Sequence, residues 1–198
     1  MTFIAAHESG AGPPHDPLWD KLTTMFGKKR VPAERRHARG LMDAAAIQSV
    51  IASRLPQRAR WRIGNDTQDL SLHSDPCSLA AEFAKWGLTD ADLTDIEHGS
   101  DLIVFGMWNY NEGGGARPAL VVRQSDGKVY GVDVEANDPL FVLNSSLEAF
   151  VDTFCLLDKY LGHGQPIPAD LNSLVRNLDP TAYSASDWRD LVDHVAGL

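Results

Sequence analysis

Any zinc or thiol chemistry in this chain would fall to its seven histidines and two cysteines, and their spacing does not favour it. His7, His15, His37, His73, His98, His163 and His194 contain no H-x-x-x-H pair, and neither Cys77 nor Cys155 sits in a C-x-x-C. Such spacings let one helix face or one tight turn present two ligands to a zinc ion. The zinc-deaminase signature is also missing, because no H-x-E precedes a P-C-x-x-C. Asp66, Asp69, His73 and Asp75 form a carboxylate and imidazole cluster that could hold a hard cation. A polar loop between two elements produces the same composition. Gly113-Gly114-Gly115 could offer backbone N–H groups to an anion. It lacks the Lys-Ser/Thr of a phosphate loop, and a strand pattern follows it where that loop needs a helix. No G-x-S-x-G elbow occurs. The expectation is a non-enzyme with no catalytic residue, no cofactor and no metal. A hydrolase assembled from residues distant in sequence stays open.

Chemistry of recognition is better represented. Asp90, Asp92, Asp95 and Glu97 place four acids within eight positions, and no Lys or Arg lies between Leu88 and Trp108. Just beyond, Trp108-Asn109-Tyr110-Asn111-Glu112 sets two aromatics and an acid beside the glycine loop. Trp and Tyr are frequent interface anchors. Asp90, Asp92, Asp95, Glu97, Trp108, Tyr110 and Glu112 are therefore the candidate partner-binding residues. The bland readings are a solvated acidic helix and a core strand end.

The overall charge points the same way. The chain carries a formal net charge of −9, unevenly spread. Residues 1–64 hold 11 basic and 5 acidic residues, and residues 65–198 hold 7 and 22. The larger part is thus at −15, which repels nucleic acid and attracts a basic partner. The basic run Lys28-Lys29-Arg30 lacks the interleaved aromatics of a nucleic-acid surface. No window offers the ~18 apolar residues of a membrane span, and the start lacks a secretory pattern. Cys77 and Cys155 read as free, buried thiols. A cytoplasmic location is the expectation.

These residues need a scaffold. With 43% apolar residues the chain can bury a core. Residues 1–40 read as an extension, Gly/Pro-rich and flexible at its start, with a short helix beginning at Leu18. Residues 41–198 read as one domain. Leu41 to Leu55 carry a helical stripe that Pro56 ends, and Arg60–Ile63 could be a short strand. Asp75-Pro76 should open a helix closed by Gly87, with Leu79, Phe83 and Trp86 on its buried face. Thr89-Asp90-Ala91-Asp92 could cap a further short helix. Leu102–Trp108, Pro118–Val122, Val129–Val134 and Pro139–Leu143 read as four strands, the middle pair joined by a Ser125-Asp126-Gly127-Lys128 turn. Ser145-Ser146-Leu147-Glu148 fits a capping box, Ser145 as N-cap and Glu148 reaching back. A helix follows, with Leu147, Phe150, Val151, Phe154, Leu157 and Leu161 on one face. A last helix covers Ser186–His194. The fold class is α+β: a central, bent antiparallel β-sheet of about four or more strands, with helices before and after it.

The order of these pieces resembles a known family. A segment ending Trp86-Gly87-Leu88 precedes the strands, and the series closes on Phe141-Val142-Leu143-Asn144-Ser145-Ser146-Leu147-Glu148-Ala149-Phe150. Across roughly residues 70–160 this resembles the SUKH superfamily, most of all its fourth family, with its F-x-N-S-S-x-x-x-F helix start. Phe141 stands one position earlier than that spacing implies. The resemblance implies a bacterial immunity protein that binds and blocks a cognate toxin, often a nuclease or nucleic-acid deaminase. Such a toxin would present a basic surface to the acidic body. Asn144, Ser145 and Glu148 would be structural, ending the strand and capping the helix. A regulatory scaffold of the same superfamily is the alternative.

Overall fold

The computed structural model describes residues 42–63, 66–89, 93, 96, 99–110, 118–134, 136 and 138–196, with the side chains of Asp66 and Tyr110 left aside. All of these fall in the compact unit Arg39–Leu198. The extension 1–40 and its helix at Leu18 lie outside the described residues, as does nearly all of the short helix expected at 89–92.

Helix α1 (Ala44–Ala52) starts where Asp43 Oδ1 accepts the Ala46 N–H at 2.8 Å, and buries Ile47 and Ile51. Six strands follow in sequence order: β1 (Arg58–Ile63), β2 (Asp66–Ser78), β3 (Leu102–Tyr110), β4 (Ala119–Arg123), β5 (Val129–Val132) and β6 (Leu140–Asn144). Each pairs antiparallel with the next, so the sheet is a meander. Short helix α2 (Leu79–Ala84) sits between β2 and β3. Helices α3 (Leu147–Leu157), α4 (Leu171–Leu178) and α5 (Asp187–Ala196) come after β6. A π-helical turn, Asp158–Gly162, extends α3. Among the described residues, no helix is long and apolar enough to cross a membrane.

Strand alternation sends side chains to two cores. On one face Trp61, Leu70, Phe105, Trp108, Leu120 and Leu143 meet α1, α3, α4 and α5. On the other, Leu79 and Phe83 of α2 cover Leu102, Val104, Val121, Tyr130 and Val132. The Trp108 and Trp188 rings lie 4.8 Å apart, and Trp61 lies about 6 Å from both. Each indole N–H needs an acceptor once buried. Asp158 Oδ1 serves Trp61 at 2.8 Å, Gln68 Oε1 serves Trp108 at 3.1 Å, and Asn144 Oδ1 serves Trp188 at 2.7 Å.

A tight turn and a close approach explain two glycines. The Ser125-Asp126-Gly127 turn needs φ +74° at Gly127, and Arg123 clamps it through two bonds to Asp126 at 3.0 and 2.6 Å. On β5 the Phe141 ring of β6 lies over Gly131, where any Cβ would collide with it.

Three local readings are corrected. Residues 66–78 form a strand and not a polar loop, and the next helix opens at Leu79 and not at Asp75-Pro76. The register of β2 jumps from Leu72↔Gly106 to Cys77↔Val104. His73–Pro76 therefore bulge out of the ladder, where the missing N–H of Pro76 costs no hydrogen bond. Ser78 caps α2 instead, accepting from the Ala81 N–H at 3.2 Å. Likewise the cap of α3 is Ser146, accepting from the Ala149 N–H at 3.1 Å. Ser145 is drawn away to Asp179, its hydroxyl donating at 2.8 Å and its N–H at 2.6 Å. Glu148 is exposed in the first turn, where its charge favours the helix dipole. Ser146→Ala should therefore lose about 0.5–2 kcal/mol of stability, read from the urea midpoint at constant slope.

Candidate partner-binding site

The acids Asp90, Asp92, Asp95, Glu97 and Glu112 lie outside the described residues, and of Tyr110 only the backbone at the end of β3 is described. Trp108 is 1% exposed. Its ring belongs to the core because β3 turns Phe105 and Trp108 toward the helices. Truncating it would empty the core before it altered a surface. Asn144 is structural in a stronger sense than ending a strand. Buried at the end of β6, it accepts from Trp188, and its amide donates to Thr153 Oγ1 at 3.3 Å and Asp179 Oδ2 at 3.2 Å.

This joint positions a cleft. Ser186 Oγ donates to the Leu143 carbonyl at 2.6 Å and accepts from the Trp188 N–H at 3.2 Å, which pins the start of α5 to β6. Trp188, Val192 and Val195 then face the core. Asp187, Asp190, Leu191 and His194 follow at i, i+3, i+4 and i+7, so they share a second face. Opposite them stand Ile63 at the end of β1, Gln68 on β2 and the edge of Trp108. The cleft is open to solvent and has a volume of about 260 Å³. That is below the roughly 300–1,000 Å³ of small-molecule sites and suits one long side chain.

The cleft is electronegative. Asp190 is bonded to Arg189 at 2.8 and 3.1 Å, out on the exposed rim. Partial burial raises the Asp187 carboxyl above its ordinary pKa, the neighbouring Asp190 charge adds to this, and Arg189 offsets part of it. A carboxyl destabilised in this way gains from a cation. Apolar walls from Ile63, Leu191 and Trp108 suit the methylene stem of Lys or Arg. The sequence places Asp187 only at the start of the last helix. The Asp187/Asp190/His194 spacing was visible, but the opposing Ile63, Gln68 and Trp108 are more than 75 positions away.

A second polar group lies under the β2 bulge. Glu82 is 5% exposed. Lys85 Nζ donates to its Oε2 at 2.6 Å and Cys77 Sγ at 3.4 Å, while His73 Nδ1 lies 3.7 Å away. Burial alone would raise the Glu82 carboxyl, but the Lys85 and Cys77 donors outweigh it and hold the carboxyl below its ordinary pKa. Burial and the Glu82 bond push the Cys77 thiol up. Of the carboxylate and imidazole residues noted at 66–75, Asp69 and His73 are taken up by other partners. Asp69 is engaged by Arg60 of β1 at 2.7 and 3.2 Å, and His73 turns toward Glu82. Cys77 and Cys155 are both free and half-buried.

A family model described as SUKH-4 immunity protein matches residues 20–194. No curated protein and no solved structure matches the chain.

Proposed function

The chain belongs to the SUKH-4 immunity protein family, and we propose that it acts by binding a cognate toxin through acidic surface and blocking it, without catalysis of its own. The match across residues 20–194 carries this reading, and the −15 of residues 65–198 supports a toxin with a basic surface. Nucleases and nucleic-acid deaminases fit that description, because their substrates are polyanions. Two patches divide the work. Asp90, Asp92, Asp95 and Glu97 supply charge that steers the encounter. The cleft of Asp187 and Asp190 takes one Lys or Arg side chain and sets how long the complex lasts. The cytoplasm, where a toxin arriving in or made by the cell would act, is the place for such a protein.

Kinetics with the cognate toxin at low and high salt test both patches. Asp92→Lys/Asp95→Lys should slow association and flatten its salt dependence. Asp187→Asn/Asp190→Asn should leave association nearly unchanged and speed dissociation about tenfold or more, the effect of losing ~1.4 kcal/mol. Failure of the unaltered protein to bind the toxin or to protect cells expressing it would overturn the function. Wild-type dissociation in the second variant would remove the cleft from the interface.

A further inference from the structure

We propose that His73, Cys77 and Glu82 form a three-ligand site for a zinc-class divalent cation, with the Lys85 ammonium as the group it displaces. The chain brings the three together by two local devices. The bulge at His73–Pro76 lifts His73 off the ladder and leaves Cys77 at its far end. The Ser78 cap then starts α2 so that Glu82 faces back across the bulge.

The geometry is close to that of a bound ion. The three ligand atoms lie within 4.8 Å of one another, with Glu82 Oε2 at 3.7 Å from His73 Nδ1 and 3.4 Å from Cys77 Sγ. Tetrahedral zinc with bonds of about 2.0–2.3 Å places neighbouring ligand atoms about 3.3–3.8 Å apart. Only small side-chain rotations separate the two arrangements. Glu82 is buried and His73 and Cys77 are half-buried, so part of the cost of removing ligands from water is already met in the fold.

A cation already interacts with this group. Lys85 Nζ lies 2.6 Å from Glu82 Oε2 and 4.0 Å from Cys77 Sγ. Its side chain is 59% exposed, so it can swing into solvent when an ion arrives. The donor set is one nitrogen, one sulfur and one oxygen. That set suits zinc or cobalt and not magnesium or calcium, which prefer oxygen throughout. On binding, the metal accepts a lone pair from each ligand, the Cys77 thiol gives its proton to solvent, and a water can complete the tetrahedron. Affinity should accordingly rise with pH.

The test is titration of tag-free, metal-stripped protein with Co²⁺ and then Zn²⁺. One equivalent of Co²⁺ should bring thiolate-to-cobalt charge transfer in the near ultraviolet and the visible bands of a tetrahedral ion, and Zn²⁺ should abolish both. Cys77→Ser should remove the charge-transfer band. His73→Ala and Glu82→Gln should each weaken binding by more than the roughly 10–100-fold of an outer-ligand loss. Lys85→Ala should tighten binding, which a merely structural role for the cluster would not produce. Absence of charge transfer in the unaltered protein, or binding that survives Cys77→Ser and His73→Ala unchanged, would overturn the site. Because Lys85 is not a proposed ligand and its side chain is 59% exposed, the Lys85→Ala result can be read even if a ligand variant folds poorly.

Discussion

Trp188→Ala will cost about 3–5 kcal/mol of unfolding free energy. The ring is 1% exposed and packs against Trp108 at 4.8 Å, Phe150 at 6.0 Å and Trp61 at 6.1 Å. Truncation opens a cavity that the neighbouring sheet and helices can close only in part, and it removes the aromatic contacts as well. It also strips Asn144 Oδ1 of the indole N–H that reaches it at 2.7 Å. Trp188→Phe separates these effects. It keeps most of the apolar surface but leaves Asn144 without its donor, which should cost about 1–3 kcal/mol. Urea denaturation at constant slope reads both variants. If Trp188→Phe proved as damaging as Trp188→Ala, the loss the two variants share, the bond to Asn144, would dominate and the buried ring surface would matter little. If Trp188→Ala cost under about 1 kcal/mol, α5 would not be packed as described.

The parts legible in the sequence were those whose cause is local. The 3–4-residue recurrence of Leu147, Phe150, Val151, Phe154 and Leu157 placed α3 because one helix face alone meets the sheet. β3 to β6 announced themselves as short apolar runs between turns, since helices cover one face of the sheet and α2 part of the other. What failed was non-local. β2 was hidden because the polar Thr67, Asp69 and Ser71 are half-buried while Leu70 and Leu72 are buried, and the bulge interrupts even that alternation. Helix α4 buries Leu171, Leu174 and Val175 at i, i+3 and i+4, a short signal among residues of modest helix propensity. The cap slipped by one because Ser145 and Ser146 are chemically alike. Only Asp179, 34 positions away, decides which of them is free to cap. The cleft and the His73–Cys77–Glu82 group were illegible for the same reason. Their residue types were plain, and even the four-residue spacing of His73 and Cys77 was available. Their convergence depends on strand register and on a bulge that no local pattern encodes.

Asp179→Ala should be as destabilising as a large core truncation, although it removes few atoms. The residue is 5% exposed. Its carboxyl accepts from Ser145 N–H at 2.6 Å, Ser145 Oγ at 2.8 Å, Asn144 Nδ2 at 3.2 Å and the Ala182 N–H at 3.2 Å. It thereby ties the β6–α3 corner to the segment between α4 and α5. On truncation the Ser145 hydroxyl can rotate, and Asn144 keeps Thr153 Oγ1 at 3.3 Å. The two backbone N–H groups have no such recourse. Each orphaned buried donor costs about 1–3 kcal/mol, so the expected loss is about 2–6 kcal/mol. Asp179→Asn should recover little, because its amide group brings donors to a place already filled with donors. The Ser145 and Ala182 amides should exchange with solvent faster in both variants, which localises the damage. Asn144 links this knot to Trp188, so Asp179→Ala and Trp188→Phe should be non-additive in a double-mutant cycle. Strict additivity would mean that Asn144 is held independently by each partner. Coupling would mean that the carboxyl of Asp179 helps to set the position of α5, and with it the Asp187 and Asp190 face that the proposed function assigns to the toxin.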